Sequence, residues 1–169
     1  RARAIGYLPQ SGEVAWDVAV RSLAMLGRLP HRDARSEPVE AALAALDLLS
    51  LAERPVSRLS GGEKARALLA RVLAGEPRWI LADEPFAALD LAHQLNLLGH
   101  LRREADSGTG VVLVLHDLAL AMNHADRVLV LDQGGLIADG APVDALSVST
   151  IGQVWGVSAR WLGEPGARA

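Results

Sequence analysis

The sequence has 169 residues, of which 50% are hydrophobic and 22% are charged. This composition is typical of a globular fold and excludes a disordered chain. The formal net charge of −3 gives no reason to expect a nucleic-acid-binding surface, and the absence of cysteine excludes disulfides and thiolate metal sites. No apolar run approaches the length that a membrane span requires, so we expect no span in this sequence.

The amino-terminal part of the sequence reads as a strand followed by helices. It begins without methionine or a signal-like apolar stretch and passes directly into IGYL, as if the chain started within a domain. Helical patterns with no strand between them then fill the stretch from about residue 13 to residue 74. Ser36 is a predicted helix cap, and Pro38 falls in the first turn, where its missing N–H costs nothing. We therefore predict a helical subdomain at about residues 11–75.

Three continuous apolar runs follow, at residues 79–82, 111–115 and 127–131. Continuous runs are typical of strands covered on both faces of a parallel sheet. A helix from about Asp90 to Ala105 lies between the first two, and strand, helix and strand in this order predict a right-handed crossover. Leucines recur along this helix at helical spacing, namely Leu91, Leu95, Leu98 and Leu101.

The third run leads into RVLVLDQGGLIADG, which predicts a hairpin turning at Gln133-Gly134-Gly135. We assign the sheet-containing core to residues 1–10 and 76–146 and a carboxy-terminal tail to residues 147–169. The last residues, GEPGARA, are polar and contain glycine and proline, so we expect this end to fray.

The most informative segment is LSGGEKAR, at residues 59–66. Gly61 and Gly62 allow the backbone to approach a ligand closely, and Ser60 can cap the helix that starts there. A helix start with free N–H groups favours an anion such as phosphate. Taken alone, the segment is also compatible with an ordinary helix start.

A buried strand ends in two carboxylates in WILADEP, at residues 79–85. Acidic groups at the carboxyl edge of a parallel sheet lie where such proteins bind ligands. Asp83 is a candidate for holding Mg²⁺ beside phosphates, and Glu84 is a candidate general base for an attacking water. Many such strings are merely strand ends with capping acids, but here the string follows LSGGEKAR at the distance of one helix.

Three further polar residues are weaker candidates on their own. His116 follows the run VVLVL and is placed to reach a γ-phosphate, while Gln10 ends YLPQ after an edge strand and can coordinate Mg²⁺ or a water. Asp90 ends FAALD and is otherwise a simple helix cap. The remaining histidines are interpreted as structural or surface residues; they are His31, His93, His100 and His124.

The segments YLPQ, LSGGEKAR, WILADEP, FAALD and LHD, in this order, resemble the ABC ATPase family from its Q-loop to its carboxy terminus, over nearly the whole sequence. The segments LGRLPHR, DLAHQL and VWGVSARW resemble the ATPases of importers for iron-siderophores, haem or cobalamin. The resemblance implies an α/β fold: a P-loop NTPase-like core with a mainly parallel sheet and an inserted helical subdomain, the amino-terminal part of the core being absent.

The resemblance also implies a mechanism shared between two copies, with ATP and Mg²⁺ as cofactors. The residues that would contact ATP bound mainly by the partner copy are Ser60, Gly61, Gly62 and Glu63, with Asp90 crossing at the dimer contact. Those that would serve the nucleotide of their own subunit are Gln10, Asp83, Glu84 and His116. The implied partners are a second, identical nucleotide-binding subunit, a membrane permease contacted through residues 11–35 and, indirectly, a periplasmic or extracellular substrate-binding protein. The implied location is peripheral, on the cytoplasmic face of a bacterial inner membrane.

The sequence departs from the family at the phosphate-binding loop. That loop needs Gly-x-x-x-x-Gly-Lys-Ser/Thr, but the only lysine is Lys64, inside LSGGEKAR. The aromatic residue that stacks on adenine is not identifiable either. We expect the sequence as given neither to bind ATP tightly nor to hydrolyse it, and to be poorly stable or prone to aggregate. Ala88 replaces a serine common at that position, with a modest effect at most.

Three alternative functions fit the sequence less well. A soluble ABC ATPase of DNA repair or chromosome organisation would carry long coiled coils, yet only about fifty residues separate Gln10 from Ser60, without heptads. A non-hydrolysing interaction module is disfavoured because Glu84, His116 and the LSGGEKAR segment are retained. A dehydrogenase is excluded, since no Gly-x-Gly-x-x-Gly follows a strand. The LGRLPHR segment favours import over export, and the resemblance implies that the transported ligand is selected by the permease and the binding protein.

Overall fold

The computed structural model describes residues 2–10, 17–87 and 89–162, and the chain divides into two units. The first unit runs from Arg1 to Val114 and the second from Leu115 to Ala169. Parts of the predicted helical subdomain, Ala88 and the GEPGARA end lie outside the described residues.

A parallel sheet organises the first unit. Its strands are β1 (Ile5–Leu8), β2 (Trp79–Asp83) and β3 (Gly110–Val114), in the order β1-β2-β3. Both neighbouring pairs are parallel, so all three strands end at the same edge. The strands predicted from IGYL, WILA and VVLVL are therefore confirmed, with bounds that differ by one residue at most.

Only one face of this sheet is well covered, which corrects the expectation of coverage on both faces. Ile80 and Ala82 are buried, whereas Val112 and Val114 of β3 are 45% and 53% exposed. Successive strand residues point to opposite faces, so the exposed pair lies on one side of β3. The apolar composition of β3 shows that the strand is hydrophobic. It does not show how much of the strand is covered by the described residues.

Helices dominate the described part of the stretch between β1 and β2, as the sequence predicted. The α-helices are α1 (Val20–Met25), α2 (Glu37–Ala45) and α3 (Gly61–Leu73). Short 3₁₀ helices run over Leu26–His31, Leu49–Leu51 and Val56–Arg58. Within the described part of this stretch the only strand-like feature is an isolated bridge between Ala19 and Pro55. The three helices pack on one another around buried apolar side chains, including Val20, Leu23, Val39, Leu43 and Leu69.

The predicted cap of α2 is only half correct. Ser36 does occupy the position before the helix, and Pro38 lies in its first turn. The Ser36 hydroxyl, however, makes no capping hydrogen bond, because its backbone is already helical (φ −82°, ψ −27°) instead of extended. The position was predicted from local sequence, while the bond depends on a backbone angle that the sequence does not specify.

The α2 helix ends earlier than its apolar pattern suggests. Asp47 adopts the left-handed conformation, with φ 54°. Its N–H donates to the Ala44 carbonyl at 3.2 Å, and the Leu48 N–H donates to the Leu43 carbonyl at 2.8 Å. This pair of bonds is a Schellman ending, with aspartate in the position that glycine usually takes.

Helix α4 (Leu91–Asp106) connects β2 to β3, as predicted. Leu98 and Leu101 are buried, but Leu91 and Leu95 are 68% and 49% exposed, so the predicted leucine stripe is wrong at its amino-terminal end. The buried face instead contains Leu97 and His100. All these positions fit a helical period, and only the packing decides which arc of the helix is covered.

Within its described residues, the second unit contains a hairpin and three short helices. Its elements are α5 (Leu118–His124), β4 (Val128–Asp132), β5 (Gly135–Gly140), α6 (Pro142–Ala145) and α7 (Val148–Trp155). The predicted hairpin is confirmed, and β4 and β5 form a two-stranded antiparallel sheet. The core of the unit is built from Met122, Val130 and Leu146.

The hairpin corrects two details of the prediction. The turn consists of Gln133 and Gly134, both with positive φ (46° and 80°), while Gly135 pairs with Asp132 as a strand residue. Two left-handed residues in succession are what a two-residue type I′ hairpin needs. In addition, β4 alternates between covered and exposed side chains and is not a strand covered on both faces, since Leu131 is 68% exposed.

Candidate functional site

The carboxyl edge of the sheet brings together Gln10, Asp83 and Glu84. Asp83 is the last residue of β2, Glu84 follows it, and Gln10 comes two residues after β1. The Gln10 side-chain Nε2 donates to Oε2 of Glu84 over 2.9 Å. The family resemblance assigned these residues to one nucleotide, and the hydrogen bond joins two of them across 74 positions of chain.

The backbone of Glu84 holds its carboxylate in a defined place. Glu84 has φ 45°, a left-handed conformation that is uncommon for a residue other than glycine. Its N–H donates to the Val114 carbonyl at the end of β3 over 3.0 Å, and its carbonyl accepts from the Ala87 N–H at 3.2 Å. Such conformations cost of order 1 kcal/mol, persist where surrounding bonds fix them, and cluster at functional sites. This feature was not visible in the sequence.

The donor set at this edge suits a magnesium ion that is shared with phosphate. Mg²⁺ prefers oxygen ligands, keeps several waters and takes one or two protein carboxylates beside substrate phosphates. Asp83 supplies a carboxylate and Gln10 an amide oxygen. Among the described residues, no group of three or more His, Asp or Glu side chains could hold a metal on its own. The residues therefore fit a phosphate-supported Mg²⁺ and do not fit an all-protein metal cage.

His116 lies two residues after β3 and is exposed, in the second unit of the chain. Its assignment to the reaction therefore stays a prediction. The residue after it, Asp117, has a local role: its Oδ1 accepts from the N–H groups of Ala119 and Leu120, at 2.8 and 3.0 Å. Asp117 thereby caps α5, which fixes the start of the helix directly after His116.

The LSGGEKAR segment forms a fully capped helix start. The Glu63 N–H donates to Oγ of Ser60 at 3.3 Å, and the Ser60 N–H donates to Oε2 of Glu63 at 2.7 Å. These reciprocal bonds are a capping box, and the Ser60 N–H lowers the pKa of Glu63. Ser60 was predicted as a cap. The role of Glu63 was missed, although Ser-x-x-Glu before an apolar run is a recognised signal for it.

A histidine that the sequence did not single out lies against this helix start. Gly62 is buried, and a Cβ added there would overlap the imidazole of His93, 2.6 Å from its Cγ. The His93 ring Nδ1 lies 2.7 Å from Oδ1 of Asp90, and the His93 N–H donates to the same oxygen at 2.9 Å. These bonds lower the pKa of Asp90. His93 therefore joins Gly62 of the LSGGEKAR segment, which we call the signature segment, to the cap of α4.

Comparison with known proteins identifies the family. The profile described as ABC transporter matches residues 1–87, just over half of the chain. The hemin import ATP-binding protein HmuV of Myxococcus xanthus is 42% identical, and the alignment covers 98% of this chain and 68% of that protein. The chain belongs to the ABC transporter family. The HmuV protein of Rhodococcus jostii is 46% identical over 88% of this chain and 53% of its own length. The sequence thus spans between about half and two thirds of the curated relatives it matches.

Solved structures agree with this family assignment. The chain matches a metal-chelate type ABC transporter in an inward-facing conformation with a TM-score of 0.84 and 29% identity, over 92% of this chain and 64% of that one. An ATP-binding cassette in its ADP conformation matches at a TM-score of 0.78 and 20% identity, over 90% of this chain and 67% of that one, which supports the fold alone. The α/β fold predicted from the sequence is confirmed. No helix in the described ranges is long and apolar enough to cross a membrane.

Proposed function

We propose that the full-length protein containing this sequence is the ATP-hydrolysing subunit of an importer for haem, within the iron-siderophore, haem and cobalamin class of ligands. The observation that carries the proposal is the hydrogen bond from Gln10 to Glu84 beside Asp83. It places one amide and two carboxylates at the sheet edge where parallel α/β proteins bind ligands. The names of the hemin import relatives support haem as the ligand.

Each residue at the sheet edge has a distinct task in hydrolysis. Glu84 accepts a proton from the attacking water, as a general base. Gln10 holds one carboxylate oxygen of Glu84 in place through this hydrogen bond. Asp83 holds Mg²⁺, which neutralises phosphate charge and orients the γ-phosphate when bound. We assign His116 to the same reaction because it matches a histidine of the ABC ATPase family in order and setting.

The capped start of α3 binds a phosphate of the ATP that is held mainly by a second copy of the subunit. The Ser60 hydroxyl and the N–H groups of Gly61 and Gly62 stand at the positive end of a 13-residue helix, a favourable place for an anion. Glu63 keeps the loop in shape through the capping box. Asp90 reaches the same dimer contact, and His93 ties it to Gly62. Two copies in opposite orientation would then enclose two ATP molecules.

The assembly needs further partners to transport anything. The segment at residues 11–35 contacts a permease, which in turn receives its ligand from a substrate-binding protein. The subunit sits on the cytoplasmic face of the membrane, bound through the permease.

Glu84→Gln in the full-length protein tests the proposed chemistry. The variant keeps the shape of the side chain but loses the base, so we expect turnover to fall about 10²–10⁴-fold while ATP still binds. Glu37→Gln, a change on the exposed first turn of α2, is the matched control and should hydrolyse ATP normally. Hydrolysis that continues unchanged in Glu84→Gln would show that this residue is not the base.

The ligand is tested in cells that lack the coding sequence. We expect such cells to lose growth on haem as the iron source, and the wild-type sequence but not Glu84→Gln to restore it. Unimpaired growth on haem together with loss of uptake of a ferric siderophore or cobalamin would reassign the ligand within the class.

A further inference from the structure

Arg28 is a buried charge that the proposed hydrolysis does not use. It is 1% exposed and is the largest fully buried side chain among the described residues. Burying a guanidinium is expensive unless its donors are satisfied. The groups that accept hydrogen bonds from Arg28 therefore determine why a charged residue can occupy this position.

The guanidinium of Arg28 binds three different acceptors. Its Nε and Nη2 donate to the two carboxylate oxygens of Asp33, at 3.0 and 2.7 Å. Its Nη1 donates to Oε2 of Glu76 at 2.7 Å and to the carbonyl of Ala74 at 3.0 Å. The fork on Asp33 lowers the pKa of that carboxyl to about 2. Bidentate, charge-assisted bonds of this kind fix geometry as well as adding energy.

These bonds connect two segments that are far apart in the sequence. Arg28 lies in the 3₁₀ helix Leu26–His31, while Ala74 and Glu76 directly follow α3. The same two segments meet again where the ring of His31 bonds the Gly75 carbonyl at 2.9 Å. We call residues 26–33 the clamp segment. Because α3 is one continuous helix, Gly61–Leu73, its amino-terminal end carries the signature residues and its carboxy-terminal end is held by the clamp segment.

The clamp segment is held on one side and open on the other. Leu26 and Leu29 are 41% and 68% exposed and line an open groove with Ile5 and Tyr7, which are also exposed. An apolar surface of this kind can bind a partner protein. Because the clamp segment is also attached to the end of α3 by ion pairs, a partner that displaces this surface would displace α3 with it. In the proposed function this surface belongs to the part of the chain that meets the permease.

We propose that Arg28 is a positioning residue that makes the clamp segment and α3 move as one body, so that a displacement imposed by the permease reaches Ser60 and Gly62. This inference rests on the proposed function. An apolar side chain of similar volume often stabilises a buried position as well as an ion pair does, so stability alone does not explain the arginine. Coupling between distant sites is carried by rigid elements with defined attachments, and α3 with Arg28 at its end is such an element.

Arg28→Met in the full-length protein, assembled with its permease in lipid vesicles, tests the inference. Methionine fills the space, and Asp33 and Glu76 keep access to water, with side chains 32% and 54% exposed. Arg127→Met is the matched control, because Arg127 makes the same forked pair with Asp139 at 2.6 and 2.7 Å in the second unit. The measurements are ATP hydrolysis without and with the permease, haem uptake and the unfolding temperature.

We expect Arg28→Met to lose about tenfold in permease-stimulated hydrolysis and in uptake, which is within the range typical of coupling between sites. Hydrolysis without the permease should stay near that of the Arg127→Met control. Equal stimulation in Arg28→Met and wild type would overturn the inference. A parallel loss of stability, basal hydrolysis and stimulation would also overturn it, since that is the result of a packing role alone.

Two further arms keep the test decisive. If Arg28→Met does not fold, Asp33→Ala removes two of the four hydrogen bonds and leaves those to Glu76 and Ala74, and it should give a smaller loss of stimulation with basal hydrolysis kept. If the wild-type assembly itself hydrolyses no ATP, the proposed function has failed, and that result is distinct from a failure of Arg28.

Discussion

Gly27 leaves no room for a side chain where the clamp segment meets α3, so Gly27→Ala measures how closely the two segments approach. A Cβ at this position would overlap the Arg71 carbonyl oxygen and lie 3.1 Å from both the Arg71 carbonyl carbon and the Gly75 nitrogen. These are backbone atoms, which cannot rotate away as a side chain can. Overpacking costs typically about 1–3 kcal/mol, and we expect the upper part of that range because relief requires moving a helix end.

Gly99→Ala is the matched control, since it makes the same chemical change in the interior of α4. The nearest atom to a Cβ there is Nη1 of Arg103, at 3.8 Å, which is ordinary contact with a flexible side chain. Alanine is a better helix former than glycine by about 0.5–1 kcal/mol, so this variant should be more stable than wild type. The two identical substitutions are therefore expected to have opposite signs.

Urea unfolding of the full-length variants gives the free energy of unfolding from the midpoint and the slope. For a domain of this size, a loss of about 2–3 kcal/mol corresponds to a fall of about 5–10 °C in unfolding temperature. A Gly27→Ala protein within about 0.5 kcal/mol of wild type, the range of ordinary surface substitutions, would refute the close approach. A loss of stability in Gly99→Ala would refute the reasoning from free space.

Two further predictions concern caps and charges. Ser60→Ala breaks the capping box with Glu63 and should lower the free energy of unfolding by about 1 kcal/mol in the same urea experiment. Ser36→Ala removes a hydroxyl that makes no capping bond and should stay within about 0.5 kcal/mol of wild type. Equal effects of the two substitutions would contradict the cap geometry. Because Arg28 holds the pKa of Asp33 at about 2, below its ordinary 3.8, this carboxylate stabilises the fold above about pH 4 and stops doing so as the pH falls through 2. Asp33→Asn should therefore flatten the decline of the urea midpoint between about pH 4 and pH 2, and an unchanged decline would argue against the pair.

The features that could be predicted from the sequence are those decided by neighbouring residues. Ser60 and Asp90 were recognisable as caps because a cap bonds N–H groups two or three residues ahead. The hairpin was recognisable because its turn and both strands lie within one short segment. The errors arose where a pattern was compatible with several packings, as at Leu91 and Leu95, which fit a helical stripe but are exposed.

The features that could not be predicted depend on residues that meet only in the folded chain. Arg28 bonds the Ala74 carbonyl and the Glu76 carboxylate, 46 and 48 positions away, and nothing in LGRLPHR indicates these partners. The contact between His93 and Gly62 is likewise set by the packing of α3 on α4. A lone histidine with no special neighbours is most often structural, so its position beside the signature segment had no signal in the sequence.

The sheet-edge site falls between these two cases, and the difference is physical. Gln10 and Glu84 are 74 positions apart, yet their proximity could be predicted because strands that pair in parallel end at one edge. The geometry of parallel sheets thus predicts a proximity that the neighbouring residues in the sequence do not indicate. That geometry places residues but not atoms, so the hydrogen bond to Oε2, the left-handed φ of Glu84 and the bond from its N–H to the Val114 carbonyl are visible only in the folded chain. The backbone of Glu84, the proposed general base, is therefore held by β3 as well as by β2, although β3 contributes only a backbone oxygen.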